Sequence, residues 1–187
     1  MNEILNAIAN RSSIRRYTEE PLTEKEVQTL VKAGMQAPTA RNAQEVHFSV
    51  LPGSHPILAE LEAEKRLQFL SGDMPAEMKE QIRNDPNNFY FQAPLVLFLS
   101  ADNDFSWSKL DAGIAAENIA LAAEGLGLGS LIIGSIGAAF SGEKKAYFEK
   151  SLAFPENFGF AICVAVGHKG TEKEPHTFDA AKSVSYL

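Results

Sequence analysis

The stretch "APLVLFLS", Ala93 to Ser100, is apolar almost without interruption. A strand with one wet face alternates polar and apolar residues, so a continuous run of this length is read as a central strand buried on both faces. A chain containing such a strand must cover it from two sides. The best cover in the sequence is an alanine-rich helix from Ser108 to Glu124, carrying Ala112, Ala115, Ala116, Ala120, Ala122 and Ala123. Small residues on all sides of a helix suit burial with close neighbours.

Other elements fit the same layered plan. Asn2 to Ile8 reads as a short helix with Ile4, Leu5 and Ile8 on one face. Thr23 and Glu26 form a capping-box pattern, followed by Val27, Leu30, Val31 and Gly34 at helical spacing until Pro38. Val46, Phe48 and Val50 alternate as a strand does, and a charged helix is expected over Pro56 to Leu70. The polar Gly72 to Asn88 stretch, with Pro75 and Pro86, is expected to be mobile surface. "SLIIG" (Ser130 to Gly134) and "FGFAICVAVG" (Phe158 to Gly167) supply further strands, with a short helix near Ser141 to Leu152. The fold class is α+β, with helices covering a sheet, in a single domain over residues 1–187.

Charge narrows the partners. The 24 acidic residues against 17 Lys and Arg leave a net charge of −7, which excludes a surface built to neutralise nucleic-acid phosphates. The longest apolar runs are strand-length, too short to span a bilayer, and the N-terminus shows no apolar signal core. Cys163, the only cysteine, sits in an apolar strand and reads as an inert buried thiol. No disulfide, nucleic-acid contact or membrane contact is expected, and the location is taken as cytoplasmic. His47, His55, His168 and His176 are isolated in sequence, so no metal site is indicated.

Two patterns resemble catalytic motifs without their context. "GLGLGSLIIG" has glycines in the manner of a dinucleotide fingerprint, but they follow a helix and precede a strand, the reverse of what a phosphate-cradling loop needs. A helix end and turn built from Gly125, Gly127 and Gly129 is expected instead. Ser141 and Lys144 form an S-x-x-K pair whose companion motifs are missing, and Ser141 reads as a helix N-cap.

The local exception to the acidic balance is "NRSSIRRYTEE", where Arg11 to Arg16 holds three arginines and two serines. In extended backbone Arg11, Ser13 and Arg15 point to one side. Two guanidiniums flanking a hydroxyl suit a phosphate monoester; a solvated basic turn paired with Glu19, Glu20 or Glu24 is an equal alternative on these residues alone.

A second segment weighs in the choice. "AGMQAPTARNAQEVHFSVL", Ala33 to Leu51, resembles the nitroreductase family of flavin enzymes, which carries R-x-S-x-[RK] near the N-terminus and then A-P-S-x-x-N-x-Q-P-W before a strand. Here "RSSIR" and "APTARNAQ" occur in that order. "NFYFQAPLVLFLSAD", "LDAGIAAENIALAAEGLGLGSLIIG" and "VAVGHK" are similar to later family segments in collinear order.

The resemblance implies a homodimeric sandwich with a mainly antiparallel central sheet, binding FMN at two shared sites. It places Arg11, Ser12 and Ser13 at the FMN phosphate and Arg15 by the pyrimidine end of the isoalloxazine. Pro38, Thr39, Ala40, Asn42 and Gln44 would meet the partner subunit's flavin, and Ile133 and Gly134 would present backbone to it. Glu45 and Val46 replace the family's Pro-Trp. His176 stands at the position where the family completes the phosphate site with a base, with Lys169 and Lys173 nearby.

The implied activity is an FMN-dependent oxidoreductase moving hydride from NADH or NADPH, in a ping-pong cycle, to a small-molecule acceptor such as a quinone or nitroaromatic. No side chain need serve as a catalytic acid or base in the first half of the cycle. The alternatives are a non-catalytic FMN-binding or sensing protein, a structural dimeric module with an empty pocket, and a flavin dehydrogenase or dehalogenase with a dedicated substrate.

Overall fold

The computed structural model describes residues 2–175 and 177–187. Four strands form one antiparallel sheet: β1 (Val46–Pro52), β2 (Leu95–Asp102), β3 (Leu128–Ile133) and β4 (Phe158–His168), in the order β1-β2-β4-β3. The apolar run is therefore central. β2 pairs with β1 through Phe48↔Leu99 and with β4 through Leu97↔Val164, the register shifting between Leu99 and Ser100.

Both faces of β2 are buried, as continuous apolarity demands. Val96 and Phe98 share one face with Leu131, Ile133, Cys163 and Ala165. This face is covered by α3 (Ile57–Ser71), a 3-10 turn (Ser135–Phe140) and α6 (Lys145–Ser151), through residues such as Leu58, Leu61, Ile136 and Phe148. Leu95, Leu97 and Leu99 share the other face with Val164 and Val166, under α2 (Glu24–Met35) and α5 (Ser108–Gly125). Ala112, Ala115, Ala116 and Ile119 of α5 lie flat on the sheet there, because small side chains let the helix axis come close. Burial pushes the Cys163 thiol well above its ordinary range, as expected for an inert core cysteine.

α1 (Glu3–Asn10) is capped by the Asn2 side chain, which accepts the Leu5 amide, and it rests on α5. Its Ile4, Leu5 and Ile8 stay exposed. The capping box opening α2 is formed in full: Thr23 Oγ1 accepts the Glu26 amide and Glu26 Oε2 accepts the Thr23 amide. A short α7 (Ala180–Ser183) lies in the C-terminal segment. Among the described residues no helix is long and apolar enough to cross a membrane.

Three local expectations need correction. The Gly72–Asn88 stretch is not simply a loose loop. It carries α4 (Ala76–Asn84), and its far end is clamped by Arg66 of α3. The Arg66 guanidinium donates to Glu62 Oε1 at 2.6 Å and to the carbonyls of Asp85 and Asn87 at 2.9 and 2.7 Å, while Glu62 Oε2 accepts the Phe89 amide. Glu62 and Arg66 lie at i and i+4 of one helix, so they act as a unit; their loop partners are backbone groups, which any sequence offers.

The second correction concerns the glycines after α5. Only Gly127 has a positive φ, 75°, while Gly129 already belongs to β3. The turn needs one glycine rather than three. The third concerns Ser141, which is no helix N-cap: its hydroxyl donates to the Ala138 carbonyl at 2.7 Å and α6 begins only at Lys145. Lys144 points to the buried carboxylate of Glu64, Nζ to Oε2 3.5 Å. Both members of the S-x-x-K pair serve local structure.

Candidate functional site

The basic segment is laid along the free edge of β3. Ser13 bridges Ser130 in parallel fashion, and the Ile14 amide donates to the Ser130 carbonyl at 2.9 Å. Farther on, Tyr17 bridges Lys169 just past β4, and its hydroxyl donates to the Ile14 carbonyl. Burial pushes the Tyr17 phenol well above its ordinary range, although Arg15 acts against it. Ser12 and Ile14 turn inward and are buried. Extended backbone then sends Arg11, Ser13 and Arg15 to the opposite side, as the alternation predicts.

The anchor of this arrangement is the approach of Ile14 to Gly129. A Cβ on Gly129 would stand 3.0 Å from three atoms of the Ile14 side chain. Glycine is needed there so that the basic segment can close onto β3. Arg11 is not free: its Nε lies 3.5 Å from Glu117 Oε1 on α5, rather than near Glu19, Glu20 or Glu24. The pair is long and Glu117 is exposed, so an incoming phosphate can compete for the half-buried guanidinium.

Arg15 opens onto a cleft of about 360 Å³ whose lining includes Ile133, Gly134 and Ser135 at the end of β3. Its size falls within the roughly 300–1,000 Å³ range of ligand clefts. The opposite wall was not anticipated from sequence. Lys65 comes from α3, and Asn88, Phe89 and Phe91 come from the loop clamped by Arg66. The Arg15 guanidinium carbon stands 5.9 Å from the Phe91 ring centroid, and Lys65 Nζ lies 6.0 Å from that of Phe89. Asp85 also borders the cleft, its carboxyl held below the ordinary range chiefly by the hydrogen bond from the Asn87 backbone amide. The cleft thus combines the Phe89 and Phe91 rings with two cations.

Gly134 is exposed, and a Cβ there would touch only Ile162 Cδ1 at 3.8 Å, an ordinary contact. Nothing within the chain requires glycine at this position.

Pro38, Thr39, Ala40, Asn42 and Gln44 do not line this cleft. They lie with the 3-10 turn Ala40–Asn42 at the far end of α2, where Thr39 and Gln44 border a separate groove with Met35 and Ala115. The segment is held by its own polar groups: Thr39 Oγ1 accepts the Gln44 amide at 3.0 Å, Gln44 Nε2 donates to Asn42 Oδ1, and Asp111 Oδ2 accepts the Ala40 amide at 2.8 Å. Among the described residues, the Thr39 hydroxyl proton and the Asn42 side-chain amide donors are left over. Arg41, Asn42 and Gln44 have positive φ, and so do Phe91 and Gln92 beside the cleft. Non-glycine residues in this region store strain, which collects at sites where geometry matters more than stability.

The C-terminal candidates separate. Lys169 is paired with Glu124, Nζ to Oε1 3.1 Å, and is largely enclosed. Lys173 is exposed, and its carbonyl accepts a long 3.5 Å bond from the Ser12 hydroxyl, which brings it beside the basic segment. His176 lies outside the described residues. Among the described residues, no group of three or more His, Cys, Asp or Glu is placed to hold a metal ion.

The sequence matches the family described as "Nitroreductase family" over residues 8–168. The chain belongs to this family. As a nitroreductase-family chain it has solved structural counterparts. A nitroreductase from Desulfitobacterium hafniense DCB-2, crystallised with bound FMN, superposes with a TM-score of 0.90 at 31% identity, covering 100% of this chain and 99% of that one. An FMN reductase (NADPH) of Bacillus subtilis (strain 168) is 31% identical over 73% of this chain, which spans 55% of the length of that relative. An NADPH-flavin oxidoreductase of Vibrio harveyi is 28% identical over 93% of this chain and 69% of its own length. The helix-covered antiparallel sheet is therefore the fold of the Desulfitobacterium structure.

Proposed function

We propose that this nitroreductase-family chain is an FMN-dependent NAD(P)H oxidoreductase, folded as one domain and acting as a homodimer. The observation that carries the reading is the meeting of Arg15 with Ile133 and Gly134 in one cleft, although they are far apart in the sequence. The likeness to an FMN-bound nitroreductase at a TM-score of 0.90 supports FMN as the occupant.

The residues present fit that group. The Phe91 ring and the end of β3 border the cleft, and exposed Gly134 leaves its backbone open to close approach by a tricyclic ring. Arg11 and Ser13, on the same side of the extended segment as Arg15, would hold the phosphate with charge-assisted bonds. Arg15, with Lys65 across the cleft, would stand by the negative charge that reduction places on the ring. When bound through Arg11, Ser13 and Arg15, FMN would supply hydride-transfer chemistry between NADH or NADPH and an oxidised quinone or nitroaromatic, in two half-reactions.

The Thr39–Gln44 segment supports a shared site. It presents exposed Pro38, Asn42 and Gln44 away from its own sheet, and borders a groove separate from the cleft. In a two-fold dimer the free donors of Thr39 and Asn42 would complete the partner's flavin site. Exposed Ile4, Leu5, Ile8, Trp107 and Leu110 offer apolar surface for such an interface.

Steady-state oxidation of NADH and of NADPH, with a quinone as acceptor, tests the activity. Parallel double-reciprocal lines on varying both substrates are expected for two separate half-reactions. Intersecting lines would contradict them, and absence of FMN-dependent oxidation would remove the enzymatic reading.

A further inference from the structure

Both carboxylate oxygens of Glu45 are buried, yet among the described residues neither has a hydrogen-bond partner. A charged carboxylate hidden from water without a donor is costly, so the ionised form fits poorly here. Its neighbour is another acid. Asp111, on the first turn of α5, is 3% exposed and stands close enough to the Glu45 carboxyl to raise it. One proton between two carboxyl groups satisfies an oxygen of each, which is how paired acids at short range resolve their repulsion.

The groups around the pair give Glu45 no cation. Asp102, at the end of β2 beside the start of β1, adds a further negative charge. The basic residues nearest in sequence are Arg41 in the turn, His47 on β1 and Lys109 on α5. Among the described residues, none of these nitrogens lies within ion-pairing distance of Glu45 or Asp111. Burial pushes the Glu45 carboxyl above the ordinary glutamate range, and the nearness of Asp111 and the negative charges of Asp111 and Asp102 push it further, although its own backbone amide acts the other way.

The pair sits at the base of the strained segment. Asp111 Oδ2 accepts the Ala40 amide at 2.8 Å, and Glu45 is the residue joining Gln44 to β1. Asp111 therefore touches the segment's start through Ala40 and its end through Glu45. Its positive-φ residues Arg41, Asn42 and Gln44 need such fastening to persist.

We propose that Glu45 and Asp111 share one proton and act as a latch that holds the Thr39–Gln44 segment in shape, which makes Glu45 a positioning residue. Loss of that proton sets two buried carboxylates against each other, and the segment opens to let water reach Glu45. The consequence for flavin rests on the shared-site reading above; the latch itself does not. The sign follows from the raised carboxyl: the folded segment binds the proton more tightly than the open one. The latch is therefore full at low pH and is lost as pH rises through the folded value.

Amide exchange of Ala40 to Gln44, corrected for intrinsic pH dependence, tests the latch in the whole protein, together with a carbon-13 titration of the Glu45 carboxyl. Protection is expected to fall as pH rises, with its midpoint at the Glu45 titration. Glu45→Gln keeps a donor toward Asp111 without a charge, and should make protection independent of pH. Asp111→Asn should return the Glu45 titration toward the ordinary glutamate range. Flat protection in the native chain, or a pH dependence unchanged in Glu45→Gln, overturns the latch. FMN release, followed by fluorescence, should accelerate over the same pH range in the native chain and not in Glu45→Gln. Failure to bind FMN at any pH would remove the flavin reading while the exchange result still decides the latch. FMN release independent of pH, with exchange as expected, would overturn the positioning role.

Discussion

Arg15 stands over the face of Phe91, its guanidinium carbon 5.9 Å from the ring centroid. The two residues close the cleft from opposite sides, one from the basic segment and one from the loop before β2. Aromatic contact restrains the guanidinium without consuming its donors, so its charge stays available to an occupant. Arg15→Ala is expected to lower the reduction potential of bound FMN while leaving most of its affinity. Potentiometry on the flavin-loaded variant measures this, and an unchanged potential would contradict the electrostatic role.

Arg11 and Ser13 should act on the other end of the ligand. Riboflavin, which lacks the phosphate, is expected to bind at least about a hundredfold more weakly than FMN, since charge-assisted bonds contribute roughly 1.5–3 kcal/mol each. Arg11→Ala should remove a large part of that difference. Equal affinities for the two flavins, read by fluorescence titration, would mean that the basic cluster serves another purpose.

Gly134 separates folding from binding. Because a Cβ there meets only Ile162 at 3.8 Å, Gly134→Ala should leave stability within about 0.5 kcal/mol of the native chain. FMN binding or its reduction by NADPH should nonetheless suffer, because a methyl group would intrude where the ring must approach backbone. Thermal unfolding and flavin titration on one sample check both halves. A variant that binds and reduces FMN normally would place the ring elsewhere.

The Arg66–Glu62 clamp should hold the cleft's second wall. Arg66→Ala leaves the largely buried Glu62 without its shortest bond and frees the carbonyls of Asp85 and Asn87. A stability loss on the order of 2–4 kcal/mol is expected in denaturant titration, with faster amide exchange at Phe89. A loss of a few tenths would show that the loop is held by its aromatics alone.

The start of α2 carries a pH dependence of opposite sign to that of Glu45. Hydrogen bonds from Thr23 hold the exposed Glu26 carboxyl below its ordinary range. Its stabilising effect is present above the unfolded glutamate value and is lost as pH falls through the lower folded one. Thr23→Ala should cost about 1 kcal/mol at neutral pH, and less in acid. Denaturant midpoints at the two pH values measure the difference, and a cost that does not shrink in acid would contradict the reciprocal cap.

Much of this was legible before any coordinates. The Ala93–Ser100 run fixed the centre of the sheet because apolarity on both faces has only one economical explanation. The shared side of Arg11, Ser13 and Arg15 followed from their alternation in extended backbone, and the burial of Ser12 and Ile14 between them agrees with it. The opposite wall was not legible. Lys65 is one charge among many on α3, and Phe91 reaches the cleft only because Arg66 clamps backbone carbonyls, a contact that leaves no side-chain pattern. Glu45 showed as a departure from Pro-Trp, but its orphaned oxygens depend on Asp111, far away in sequence, being brought against it by the fold.

The central claim is that this chain holds FMN in the Arg15–Gly134 cleft and lets NAD(P)H reduce it. Anaerobic mixing of the flavin-loaded protein with NADPH or NADH, with no acceptor present, tests it most directly. The flavin absorbance is expected to bleach on mixing with at least one of the two and to return when a quinone is added. A flavin that stays oxidised with both nucleotides would mark a binding or sensing protein instead, and a protein that retains no FMN at all would contradict the account.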